Sequence, residues 1–175
     1  MAPTVVGFMP SLFHIATVKV ALPLFRGFDI ETLCLAFREI QYENSTSSND
    51  GSRKNHGASY ERAKKHLLLI PGHLRIKILQ AVKGFHYAAE IWREDHLKIL
   101  KLKDLKCILH WKSNGSIDTV KTAEHLVQNE KIRTRKRFQI ACKYCLEKSV
   151  KTLWKEMEAS GKTENFETVD IMVNL

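Results

Sequence analysis

Five apolar positions near the end of the chain constrain its fold more than anything else. Phe138, Ala141, Cys142, Cys145 and Leu146 fall at i, i+3, i+4, i+7 and i+8, the repeat of a helix with one buried stripe. Val150, Leu153, Trp154 and Met157 repeat that spacing just downstream. With four prolines and eight glycines among 175 residues, little interrupts such helices, and no stretch reads as a hairpin. The predicted class is therefore all-α: an irregular array of short antiparallel helix pairs, with a helical repeat as one organisation of it. The segments Ala88–Glu94 and Ser149–Glu156, each carrying Ile-Trp or Leu-Trp before a basic and an acidic residue, are the candidate repeat.

Caps and breakers place the elements. Ser11 caps a first helix with Leu12, Ile15, Ala16 and Val20 inward, ending before Pro23. Asp29 caps a second with Leu33, Ala36, Phe37 and Ile40 inward. Residues 1–42 thus form an N-terminal helix pair. Residues 43–58 hold almost nothing that burial would reward, so they read as a flexible polar linker or insertion. A basic helical array over 59–160 follows. Ser59 opens a helix that ends at Pro71-Gly72, and Leu74, Ile78, Leu79 and Val82 mark the next. Gly84 interrupts the chain before a face of Tyr87, Ala88, Ile91 and Trp92. From Lys103, the residues Leu105, Ile108, Leu109 and Trp111 suggest a helix stopped by Asn114-Gly115. Ser116 or Asp118 caps another with Val120, Ala123 and Val127 inward, and Gly161 closes the last. Residues 161–175 form a short acidic tail.

Charge is unevenly placed along this sequence. Residues 53–155 hold 24 Lys/Arg against 9 Asp/Glu, a net +15, while residues 1–52 carry −2 and residues 156–175 carry −4. A basic body attracts polyanions, whether nucleic acid, anionic lipid heads or acidic protein surfaces, and also keeps a protein soluble. The densest run is Lys131-Ile-Arg-Thr-Arg-Lys-Arg137. Cations at a helix start oppose the helix dipole, which suggests that something other than stability selects them. Arg133, Lys136, Arg137 and Lys143 are the candidate contacts to an acidic protein partner or, alternatively, to nucleic acid through a basic helix face at 131–143. Neither a small-molecule substrate nor a membrane partner is indicated, since no apolar run approaches the ~18 residues a membrane helix needs. His14 and Lys19 break the apolar start, so a signal peptide is not expected, and the expected setting is intracellular, cytoplasm or nucleus.

Cys142 and Cys145 invite a metal or redox reading. Tetrahedral zinc needs four ligands, and no second C-x-x-C or H-x-x-x-H accompanies the pair. A thioredoxin-like dithiol follows a strand, whereas basic helical sequence precedes this one. Both thiols also fit the apolar stripe, so Cys142 and Cys145 read as core, with no metal and no cofactor. The histidines have no Ser, Asp or Cys companion at catalytic spacing, and the glycines are too dispersed to cradle phosphate. The expectation is a non-enzymatic interaction module.

The stretch Lys121-Thr-Ala-Glu-His-Leu, then Arg137-Phe-x-x-Ala-Cys-x-x-Cys-Leu146, then Leu153-Trp154 resembles a motif of uncharacterised arthropod all-α helical-repeat proteins. The resemblance implies an all-α fold and no established activity. The Thr-Pro-Leu-His signature of ankyrin repeats is absent.

Overall fold

Helix follows helix along the chain. The computed structural model describes residues 9–43, 57–100 and 106–161, which hold seven helices: α1 (Leu12–Gly27), α2 (Ile30–Glu43), α3 (Ala58–Leu68), α4 (Gly72–His96), α5 (Thr119–Gln128), α6 (Thr134–Lys143) and α7 (Glu147–Ala159). The only β feature among the described residues is an isolated antiparallel bridge between Trp111 and Ile117. The all-α class stands, and helices pair as α1 with α4, α2 with α3, and α6 with α7. The linker expected at 43–58 and the tail at 161–175 lie almost wholly outside the described residues.

Two compact units divide the chain: Met1–Trp92 with Trp111–Ile117, and Arg93–His110 with Asp118–Leu175. The division therefore cuts the expected 59–160 array after Trp92, and it leaves the helices on either side of residues 43–58 in one unit.

In the first unit, Ser11 caps α1 as expected, its hydroxyl accepting from the His14 amide at 3.1 Å. The helix then runs through Pro23, and its inner face is Val18, Ala21, Leu24 and Phe25. Leu12, Ala16 and Val20, expected inward, are exposed. The reason is compositional: α1 is apolar nearly all round, so spacing alone does not say which arc meets the neighbour. In α2 the charged residues Glu31 and Arg38 mark the outer face, which also carries Leu35 and Tyr42, and Leu33, Ala36 and Ile40 are buried as the pattern predicts. Gly57 rather than Ser59 stands at the cap of α3, which buries Tyr60, Ala63 and Leu67. Glu39 of α2 receives both the Tyr60 hydroxyl and the Lys64 ammonium, the latter at 2.9 Å, and so ties α2 to α3.

Gly84 does not break the chain. α4 is one helix of 25 residues, since a lone glycine costs only about 1 kcal/mol in a helix that packing supports. Continuity carries the inner stripe from Ile78, Leu79 and Val82 to Phe85, Ala89 and Trp92. Tyr87 and Ile91, expected inward after a break, instead face solvent. The helix expected from Lys103 is also corrected: residues 106–108 form a turn and Trp111–Ile117 a tight reversal. Asn-Gly is a hairpin signal as well as a helix stop, and here Gly115 takes φ +81°. A Cβ at Gly115 would lie 3.0 Å from Val18 Cγ2, so both conformation and space demand glycine. His14 Nε2 sits 2.8 Å from the Asn114 carbonyl, which holds the turn in place. Behind it Phe25, Phe85 and Trp111 form a ring cluster with centroids 4.8–5.8 Å apart, all edge-on or tilted, the arrangement ring quadrupoles favour.

In the second unit, Asp118 caps α5 by accepting from the Lys121 amide at 3.2 Å. Ala123, Leu126 and Val127 are buried, whereas Val120 is exposed. Thr122 is fully buried yet satisfied: its hydroxyl donates to the Asp118 carbonyl at 2.7 Å and accepts from the His110 amide at 3.0 Å. α6 packs against both α5 and α7. A helix with two neighbours buries a wider arc than one stripe, here Phe138, Ile140 and Ala141. Cys142 falls just outside that arc, and Cys145 lies past the last residue of α6 in a left-handed conformation, so the reading of Cys142 and Cys145 as core is overturned: both are exposed. α7 buries Leu153 and Met157, and Trp154 stays partly exposed against Phe138, with centroids 5.6 Å apart. Of the two candidate repeat segments, one lies inside α4 with Trp92 buried and the other inside α7 with Trp154 exposed.

Candidate basic interface

The four cations singled out from the sequence do not form one free face. Arg133 stands at the cap of α6 with extended backbone and is exposed; Lys136, one turn on, is half-buried. The other two are engaged internally. Arg137 has a side chain only 14% exposed, and its Nη2 lies 3.4 Å from Glu156 Oε2 on α7. Thr134 donates to the other oxygen of that carboxylate at 2.8 Å. Glu156 thus gathers two groups from the first turn of α6 and offsets the cations crowded against the positive end of that helix. Lys143 Nζ donates to the Asp95 carbonyl at 3.0 Å, in the last turn of α4, where a cation suits the negative end of a helix. Arg137 and Lys143 are therefore bracing residues in this geometry.

The outward surface of α7 carries a second row of cations, edged by the exposed Glu147 and Glu158. Lys148, Lys151 and Lys155 are all exposed and fall at i, i+3 and i+7, on the side of the helix opposite Leu153 and Met157. By helical rise the three ammonium stems start over a span of about 10 Å. Trp154 presents part of its indole beside them, at 39% exposure. The spacing of these lysines is legible in the sequence, beside a denser run of cations at 131–137. A second basic feature lies in the first unit: Arg62, Lys65, His66 and Leu69 line an open cleft of about 340 Å³ on the outer side of α3. It too follows i, i+3, i+4, i+7 spacing.

Other groups with chemical potential are scattered. His110 Nε2 and His125 Nδ1 lie 3.2 Å apart on the surface of the second unit. His96, buried, meets the Tyr144 hydroxyl at 2.7 Å with the two rings stacked. Among the described residues, no group of three or more His, Cys, Asp or Glu is placed to hold a metal ion, and no helix is long and apolar enough to cross a membrane.

No protein-family model, curated protein or solved structure matches this chain.

Proposed function

We propose that the protein is a non-enzymatic interaction module whose second unit binds an acidic segment of a protein partner through the outward face of α7. The observation that carries this reading is the row Lys148, Lys151 and Lys155, exposed on one side of a helix whose other side is firmly buried. Three cations on a rigid rod cost less ordering entropy to present than cations on a loop, and charge complementarity sets partner choice and on-rate. Arg133 extends the positive field, while Arg137 and Lys143 hold α6 in place.

A second reading has its own observation. Trp154, partly exposed beside the lysines, offers a ring face on which a base can stack, as single-stranded nucleic acid binders use. One experiment separates the two. A poly-glutamate peptide and a random-sequence single-stranded DNA are titrated into the protein and into a Lys148→Glu/Lys151→Glu/Lys155→Glu variant at low and moderate salt. Peptide binding that falls at least about tenfold in the variant supports the acidic-partner reading. DNA binding that falls steeply with salt and is lost on Trp154→Ala favours the second. Absence of binding to both ligands at low salt, or an unchanged affinity in the charge-reversed variant, overturns the assignment to α7.

A further inference from the structure

The two cysteines freed from the core have a geometry of their own, independent of the partner reading. α6 ends at Lys143, and the chain then closes in a Schellman turn. The Leu146 amide donates to the Ala141 carbonyl at 2.9 Å and the Cys145 amide to the Cys142 carbonyl at 3.1 Å. Cys145 occupies the left-handed position of that turn, at φ +52°, where glycine is usual. A helix that wanted only to stop would use glycine there, and a side chain in this conformation costs about 1–2 kcal/mol.

The same turn brings the two cysteines together. The 142–145 hydrogen bond closes a four-residue turn, which by its geometry holds the terminal Cα atoms within about 7 Å. Disulfides form across Cα separations of roughly 4.4–6.8 Å. Both residues are exposed, so a small disulfide reaches either thiol. Cys34 and Cys107 are also free, one half-buried and one exposed, but neither is held to a second thiol by such a turn.

We infer that Cys142 and Cys145 form a surface dithiol that closes reversibly to a disulfide at the carboxyl end of α6. The step is thiol–disulfide exchange with a low-molecular-weight disulfide such as oxidised glutathione. One cysteine thiolate attacks the small disulfide, forming a mixed disulfide and releasing one reduced thiol. The second cysteine, as thiolate, then attacks the protein-bound sulfur of that mixed disulfide and expels the other reduced thiol. Two protein thiols are oxidised, one small disulfide is reduced to two thiols, and two protons pass from the cysteines to the leaving thiolates. Partial burial pushes the Cys142 thiol above its ordinary pKa, and the neighbouring Cys145 adds to the shift. Cys142 therefore stays protonated at neutral pH, and closure accelerates as pH rises.

The test incubates the full chain in glutathione buffers of graded redox ratio, quenches with an alkylating agent and maps the peptides by mass. The expected product is one intramolecular link between Cys142 and Cys145, two mass units lighter than the dithiol, reopening as the buffer is made reducing. Cys34 and Cys107 remain alkylatable. A Cys34→Ser/Cys107→Ser variant should close with the same midpoint. Persistent glutathione adducts on Cys142 or Cys145, pairing of either with Cys34 or Cys107, or thiols that stay fully alkylatable in the most oxidising buffer each overturn the inference. So does a closure midpoint that moves when Cys34 and Cys107 are removed.

Discussion

The two units hold themselves together by different means. The first is tied at its centre by rings, with Phe25, Phe85 and Trp111 meeting edge-on or tilted and Val18 closing on the Gly115 turn behind them, and its polar tie, Glu39 to Tyr60 and Lys64, joins α2 to α3. The second is tied by named polar partners: Thr122 to Asp118 and His110, Glu156 to Thr134 and Arg137, Lys143 to the Asp95 carbonyl. Dispersion and burial depend on volume, whereas a buried hydrogen bond depends on the identity of one atom. The first unit should therefore be vulnerable to truncation and overpacking. The second should be vulnerable at Thr122, the buried one of these partners, to a substitution that conserves volume and removes the hydroxyl.

The largest expected effect is in the ring cluster. Phe25→Ala should destabilise the protein by about 3–5 kcal/mol, read as a lower urea midpoint by tryptophan fluorescence; a loss under about 1 kcal/mol would break the contrast between the units. Next is Gly115→Ala, which forces a side chain into the left-handed region and a Cβ within 3.0 Å of Val18. A cost of roughly 1–3 kcal/mol is expected, and pairing it with Val18→Ala should recover the steric part only. Thr122→Val keeps the volume but strands the His110 amide, for about 1–2 kcal/mol. Faster hydrogen exchange at that amide locates the loss, and unchanged exchange would show the bond to be idle. The smallest effect has the opposite sign. Cys145→Gly should stabilise the end of α6 by about 1 kcal/mol or less, and a destabilised variant would mean that the side chain contributes packing there.

Helix class was legible wherever one face is polar. In α2 and α5 most of the expected inner residues are buried because charged neighbours leave a single arc to hide. In α1 the same reasoning turned the helix the wrong way, since apolar residues occupy both arcs and only the neighbour chooses between them. At α4 a local rule about Gly84 lost to packing along the whole helix, and the phase error moved Tyr87 and Ile91 from inside to outside. Asn114-Gly115 fits a helix stop and a reversal equally, and the local sequence does not choose between them. The candidate site shows a further gap. Counting cations found the run at 131–137, but which of them are spent on Glu156 or on a helix end depends on tertiary neighbours that no local window contains. The α7 lysines needed only the periodicity already applied to the core, turned to the outer face.

Pro23 sits in the midst of α1, on its solvent side. A proline ring has no amide hydrogen to offer the carbonyl one turn earlier, here that of Lys19. Water is the natural substitute at an exposed position, and helices curve about their cores at such gaps. The first helix thus lacks one rung on its wet side only: Val18 and Ala21 before the proline and Leu24 and Phe25 after it keep the inner side buried across the gap.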